Sequence, residues 1–260
     1  MTDHTFAVCA YKDSPYLEEC IRSLKRQSVP TNVILCTSTP SEYIVSIAGK
    51  YEIPVFVRNG VSDIQDDWNF AYETAATRLV TIAHQDDCYH RNYVQEVLAC
   101  WEKYPDTTVF ATDCAIAKNG QIQKPGLVQL VKAILRMPLR MHKLADRTWV
   151  KKAALIFGNP VICPSCTYDK YALGQPLFDS EFKFALDWDT MWKLAGRTGR
   201  FICVERPLIR YRIHEEATTK ACIADNRRSR EEVAMFTKIW PKPVVKLLMF
   251  FYQKAYSEYN

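Results

Sequence analysis

Two carboxylates stand side by side at Asp86 and Asp87, directly after an apolar run, in the stretch RLVTIAHQDDCYHRNY. Adjacent negative charges repel. The pair is either a solvated turn, where Asp is common, or a seat for a divalent cation, which prefers hard oxygen ligands. A second pair, Asp187 and Asp189, lies in ALDWDTMW. Two residues apart on a helix, these side chains point well away from each other, and Asp189 reads as ordinary charge near a helix N-terminus. Arg212 and His214 occur in RYRIHEEATT. In an extended segment they share a face, because side chains alternate with period two. Cys163 and Cys166 are the one closely spaced cysteine pair, with no second CxxC and no nearby His pair to complete a zinc site.

Such residues need elements to position them, and the first half of the chain supplies a regular alternation. TFAVCAY, NVILCTS, IPVFVRN and RLVTIAH read as short buried strands. Between them lie helical patterns: Leu17, Ile21 and Leu24 after a Ser14-Pro15 start that resembles an N-cap with Pro at N1, then PSEYIVSIAGKY, then DDWNFAYETAAT. Strands alternating with helices predict a mostly parallel sheet with crossover helices, whose ligands bind at the carboxyl ends of the strands. Tyr11 to Asp13, Thr37–Ser38 and Asp86–Asp87 all fall at such ends. That coincidence favours the cation reading of the opening pair.

Composition narrows the class. In 260 residues, 48% hydrophobic and 24% charged content is that of a globular protein with a sizeable core. No apolar run approaches the roughly 20 residues of a membrane span. The start MTDHTFAVCAYKDS lacks a signal-peptide pattern, so a cytoplasmic protein is expected. Most of the ten cysteines sit singly in apolar stretches, as small core residues. A net charge of +5 does not argue for nucleic acid, and none is expected as a partner. Neither GxGxxG nor GxxxxGK[ST] is present, against dinucleotide and P-loop enzymes.

VCAYKDSPYLEECIRSLKRQSV followed by VILCTS, then IAHQDDCYHRNYVQEVL, FALDWDTMWKLAGRTGRFICVERPLIRYRIH and EEATT, together resemble family 2 glycosyltransferases of the GT-A fold, closest to bacterial members that build surface polysaccharides. The resemblance covers roughly residues 5 to 220. It implies a Rossmann-like α/β catalytic domain over residues 1–220, with 221–260 as a C-terminal helical extension. It also implies an inverting transfer from a nucleotide-diphosphate sugar, a UDP-sugar foremost, to a hydroxyl of a glycan or lipid-linked acceptor. The family's aspartate motif places Mg²⁺ or Mn²⁺ on Asp86 and Asp87, with His214 as a further ligand, while His84 fills a place the family gives to Asp. Asp187 matches the family's catalytic base, although Leu186 replaces the usual Glu before it. Arg212 and His214 would lie by the diphosphate, and Thr218 and Thr219 would reach phosphate. Tyr11, Asp13, Ser38, Trp68, Asn69 and Asp86 would contact the nucleotide, although CTSTPS offers hydroxyls where relatives carry an Asp after the second strand. Two rivals stand beside this reading. A nucleotidyltransferase would need a Gly-rich basic signature that AYKDSPYLEE lacks. A non-catalytic sugar- or partner-binding derivative of the fold would suit Leu186 and His84 but not the retained Asp86, Asp87, Asp187 and His214.

Residues 124–152 hold eight Lys or Arg and a single acid, Asp146. Val128, Val131, Leu135, Leu139 and His142 recur at three and four, which predicts a Pro-interrupted amphipathic helix. Its basic face would lie either on an anionic membrane or in solvent over the core. With the apolar tail WPKPVVKLLMFFYQKAYSEYN, it leaves peripheral attachment to the inner membrane face, or a homodimer, as expectations.

Overall fold

The computed structural model describes residues 3–214 and 226–255. The expected alternation is present: β1 (His4–Ala10), α1 (Leu17–Lys25), β2 (Asn32–Thr37), α2 (Glu42–Lys50), β3 (Val55–Val57), α3 (Ile64–Thr74) and β4 (Leu79–His84). Next come β5 (Cys88–Tyr89), α4 (Tyr93–Lys103), β6 (Thr107–Lys118), β7 (Gln121–Ile122), α5 (Leu127–Arg140) and α6 (Thr148–Ala153). After a 3₁₀ turn at Cys163–Ser165, the chain continues through β8 (Thr167–Asp169), α7 (Lys170–Leu173), α8 (Leu186–Ala195) and β9 (Arg200–Ile213). Two helices close it, α9 (Arg227–Ile239) and α10 (Lys242–Ala255).

The strands form one sheet in the order β3-β2-β1-β4-β8-β6-β9-β5, with β7 paired to β6. The pairs β1/β2, β1/β4, β2/β3 and the long β6/β9 pair are parallel, whereas the short β8 runs antiparallel to both β4 and β6. Central strands are covered on both faces, so they read as continuous apolar runs. Phe6, Val8 and Ala10 of β1 pack with Leu17, Ile21, Ile44, Val94 and Val97 from α1, α2 and α4. Ala7, one residue out of phase, faces Trp68, Tyr72, Trp188, Met191 and Phe236 across the sheet. Met235, Phe236, Val245 and Met249 carry α9 and α10 into that second core. The proposed division at 220/221 falls between residues 215 and 225, outside the described residues.

Two local features bear on the site. The β6/β9 ladder slips register around Thr112, Asp113 and Cys114, and a bulge of this kind re-aims a side chain, here Asp113. The tight turn into β9 uses Gly199 at φ +102°, where an added Cβ would lie 2.2 Å from Thr108 Cγ2. Only glycine fits such a turn without strain.

Two sequence expectations change. Ser14 does not cap α1, whose N-cap is Tyr16 with no side-chain hydrogen bond. The Ser14 hydroxyl instead donates to Asp86 Oδ1 at 3.0 Å. The basic segment 124–152 is also not one helix with a solvated cationic face. Its helix stops at Arg140, Arg136 is buried against Asp113 at 2.6 Å, and Arg140 pairs with Glu205. Lys151 is buried too, its Nζ donating to the carbonyls of Arg197 (2.6 Å) and Gly199 (2.8 Å). Pairing and carbonyl contacts are what make burial of these cations tolerable.

Candidate active site

A cavity of about 1430 Å³ opens along the carboxyl ends of β1 and β4 and reaches under α5 to the start of α8. Its walls bring together Tyr11, Asp13, Trp68, His84, Asp86, Asp87, Asp187, Arg212 and His214. These residues are up to 203 positions apart in the sequence (11 to 214), and the sheet topology unites them.

The β1 and β4 ends are latched by Gln85, whose side chain accepts from Tyr11 N and donates to Tyr11 O, both at 2.9 Å. Tyr11 is left half exposed. Asp13 accepts from Ser41 at 2.5 Å. Ser38 donates to Asp67 Oδ2 at 2.9 Å, and Asp67 also accepts from Ser62 and pairs with Arg58 at 2.7 Å. Asp67 of α3 thus sets a carboxylate beside Ser38, just past the end of β2. Trp68 is buried and stacks on the His84 ring at 4.9 Å. Asn69 is not brought to the cavity. Its amide donates to Phe178 O and accepts from Phe178 N, clamping the loop before α8.

At the aspartate pair the two side chains diverge. Asp87 is buried and accepts from the Arg212 backbone N–H at 3.0 Å. Burial pushes its carboxyl up to about 8, with the Arg212 N–H pulling the other way. Asp86 faces the cavity, with His214 Nε2 at 3.2 Å from Oδ2. Arg212 spans both: its Nε donates to Asp86 O at 3.0 Å, its guanidinium pairs with Glu19 at 2.6 Å, and it lies 4.2 Å above the Tyr16 ring. His84 is half-buried, its Nε2 is buried without a hydrogen-bond partner, and desolvation lowers it to about 4.

Among the described residues no group of three or more His, Cys, Asp or Glu is placed to hold a metal ion by itself, as a closed site would. The donor set does fit an open one. Asp86 and His214 offer a carboxylate oxygen and an imidazole nitrogen to the cavity, and Asp87 adds a buried acid behind them. A Mg²⁺ or Mn²⁺ ion usually takes its remaining ligands from phosphate and water. The described cysteines, Cys163 and Cys166 included, are all free thiols.

Asp187 sits in the first turn of α8. Its Oδ2 accepts from Asn159 Nδ2 at 3.0 Å and its Oδ1 from Trp188 N at 2.7 Å. Burial pushes the carboxyl up to about 6, opposed by the Trp188 N–H, the Lys132 charge and the Asn159 amide. Asp189, two residues on, is buried away from the cavity. Burial works to raise it, but Lys193, Ser180 and Lys238 hold it below the usual carboxylate range.

Sequence reasoning missed the residues that hold Asp187. Glu231 of α9 accepts from the backbone N–H groups of Lys183 (3.1 Å), Phe184 (2.6 Å) and Ala185 (2.9 Å), fixing the entry to α8. Asn159 belongs to a loop whose carbonyls receive Trp240 Nε1 at Ile156 (2.8 Å) and Tyr252 Oη at Phe157 (2.7 Å). No local motif marks either residue. The only available signal was that GNPVICPSC is too apolar for a surface loop. Thr218 and Thr219 lie outside the described residues.

A sequence model of glycosyl transferase family 2 matches residues 5–158. No curated protein matches the chain by sequence. Among solved structures, S. aureus TarS 1-349 in complex with UDP-GlcNAc is similar at 17% identity and TM-score 0.63, over 82% of this chain and 59% of that one. This chain therefore spans about three fifths of that relative. The mannosyltransferase PcManGT from Pyrobaculum calidifontis, in complex with GDP-Man and Mn²⁺, is similar at 16% identity and TM-score 0.60, over 95% and 68%. Glucosyl-3-phosphoglycerate synthase from Mycobacterium tuberculosis follows at 11% identity and TM-score 0.56, over 87% and 79%. At these identities the structural likeness speaks for the fold. Together with the family match over more than half its length, it makes this chain a member of glycosyl transferase family 2 with the GT-A fold.

Proposed function

We propose that this protein is an inverting glycosyltransferase that moves a sugar from a nucleoside-diphosphate donor, a UDP-sugar foremost, to a hydroxyl of a glycan or lipid-linked acceptor in surface-polysaccharide assembly. The observation that carries the reading is Asp187, a half-buried carboxylate pushed up to about 6 by its surroundings, in one cavity with Asp86 and His214. A general base works best with a pKa near the working pH. The UDP-GlcNAc held by TarS, and the GDP-Man and Mn²⁺ held by PcManGT, support a nucleotide sugar and a divalent cation here.

In this mechanism Tyr11, Asp13 and Trp68 form the nucleotide side together with Asp67, which Ser38 holds from behind rather than lining the cavity itself. Asp86 and His214 would hold Mg²⁺ or Mn²⁺, which when bound supplies charge against the diphosphate. Asp87 fixes the β9 backbone through Arg212 N–H, keeping Arg212 and His214 over Asp86. Asp187 Oδ accepts the proton of the acceptor hydroxyl as its oxygen attacks the anomeric carbon, and the nucleoside diphosphate leaves from the opposite side. Asn159 and the Trp188 N–H aim the carboxylate.

The test is a calorimetric screen of UDP- and GDP-sugars with and without Mn²⁺, on wild type and Asp86→Asn. Cation-dependent binding of at least one donor, lost in Asp86→Asn with the fold intact, is the expected result. Cation-independent binding, or none, would send the cavity to another ligand. Cytoplasmic residence at the inner membrane face belongs to the same proposal; no helix among the described residues is long and apolar enough to cross a membrane.

A further inference from the structure

Helix α5 is amphipathic the wrong way round for a helix packed on a soluble core. Leu127, Leu130, Val131, Ile134, Met137 and Met141 recur at three and four and are 46–69% exposed, while its cationic Arg136 is turned inward. Soluble proteins rarely leave a contiguous apolar row of this length facing water. On α10, Leu247, Phe250 and Phe251 are exposed as well, and Trp149 stands 65% exposed just beyond α5. The two helices border the same opening: Leu127 and Val131 from α5, and Phe251 from α10, line the catalytic cavity.

We infer that this rim docks on an anionic lipid bilayer, with the outer row of α5 and the exposed end of α10 entering the head-group layer so that the cavity opens onto the membrane surface. The charge pattern selects this occupant. No Asp or Glu occurs between Asp113 and Asp146, nor anywhere in α10, whereas Lys124, Lys143 and Arg147 beside α5 and Lys242 and Lys246 on α10 are exposed. An apolar row flanked by cations and aromatic side chains is the pattern of a helix lying in a membrane interface. A second copy of the chain pressed on this face about a two-fold axis would set cations against cations. The inference gives the membrane residence proposed above a defined docking surface and rests on that part of the reading, but not on the transfer reaction, since the cavity would open onto the bilayer whatever it binds.

The cations bring the protein to the surface and the apolar row holds it there, so attachment weakens with salt but does not vanish. The test is co-sedimentation of the full chain with phosphatidylcholine vesicles, with and without about a third phosphatidylglycerol. Wild type and Leu130→Ser/Ile134→Ser/Met137→Ser are compared, alongside Lys143→Glu/Arg147→Glu. None of the substituted residues lines the cavity, so nucleotide binding and melting report separately on the site and the fold. Wild type should sediment with the anionic vesicles and stay partly bound at about 0.5 M salt. The triple serine variant should partition about tenfold less or weaker still, and the double Glu variant should lose only its preference for anionic vesicles. Three results would overturn the inference: wild type left in the supernatant at low salt, a triple variant that binds as well as wild type, or a concentration-dependent dimer in sedimentation velocity that the triple variant abolishes.

Discussion

Replacing Asn159 by Ala tests whether Asp187 is the base and whether the structure has identified what tunes it. The Asn159 amide donates to Asp187 Oδ2 at 3.0 Å and opposes the upward push of burial. A donor of this kind favours the ionised over the protonated carboxyl by about 1 kcal/mol, which is about 0.7 of a pH unit. Without it the carboxyl should rise from about 6 to roughly 6.7. A base must be ionised to accept a proton, so activity falls as pH drops through this value, and the acid limb moves up in the variant. At pH 6 the ionised fraction goes from about one half to about one sixth, a threefold loss, and by about pH 8 both proteins are nearly fully ionised and turn over alike. The assay is release of nucleoside diphosphate from the donor between about pH 5 and 9, with circular dichroism to confirm folding. An acid limb that stays where wild type has it, in a folded variant, would refute the assignment of Asp187 and Asn159 together.

Asp187→Asn should lower turnover by about 10²-fold and, at about pH 8, raise stability by roughly 1–3 kcal/mol. The sign follows from a carboxyl raised from 3.8 to about 6 on folding. Its favourable contribution is complete below about pH 4 and is lost as pH rises through 6, so the gain of the Asn variant should disappear in acid; a thermal melt across pH checks both ends. Glu231→Ala removes the charged acceptor for three backbone N–H groups and should cost about 2–4 kcal/mol and depress turnover while donor affinity is kept, with Glu231→Gln intermediate; urea melts and calorimetry decide it. Gly199→Ala should destabilise by about 2–4 kcal/mol, because its Cβ meets Thr108 at a positive φ, and a melt equal to wild type would count against the turn geometry.

The first half of the fold was legible because each strand there is short, apolar and bounded by helical spacing, down to the Asp86–Asp87 pair at the end of β4. Asp187 was legible only through the resemblance, since one carboxylate in a helix is ambiguous, and Asp189 looks the same in sequence until Lys193 and Lys238 are seen around it. The partners were hidden for a physical reason. Asp67, Asn159 and Glu231 act on residues 29, 28 and 46–48 positions away, by contacts that no local pattern encodes. The basic segment misled for a related reason. Periodicity shows that a helix has an apolar stripe, but not which way the stripe points, and a buried cation such as Arg136 becomes affordable only when its partner, Asp113, is known.

The cavity behaves like a caliper with its jaws on different bodies. Asp86 and His214 hang from the ends of β4 and β9, so the sheet sets their position. Asp187 is gauged from the C-terminal pair of helices: Glu231 grips the entry to α8, Phe236 packs edge-on against Trp188 at 4.9 Å, and Trp240 and Tyr252 hold the strap that ends in Asn159. The opening between the jaws is therefore fixed by how α9 and α10 seat on the sheet. A change that leaves every cavity-lining side chain intact but shifts that seat by a fraction of an ångström alters the gap across which the sugar must pass.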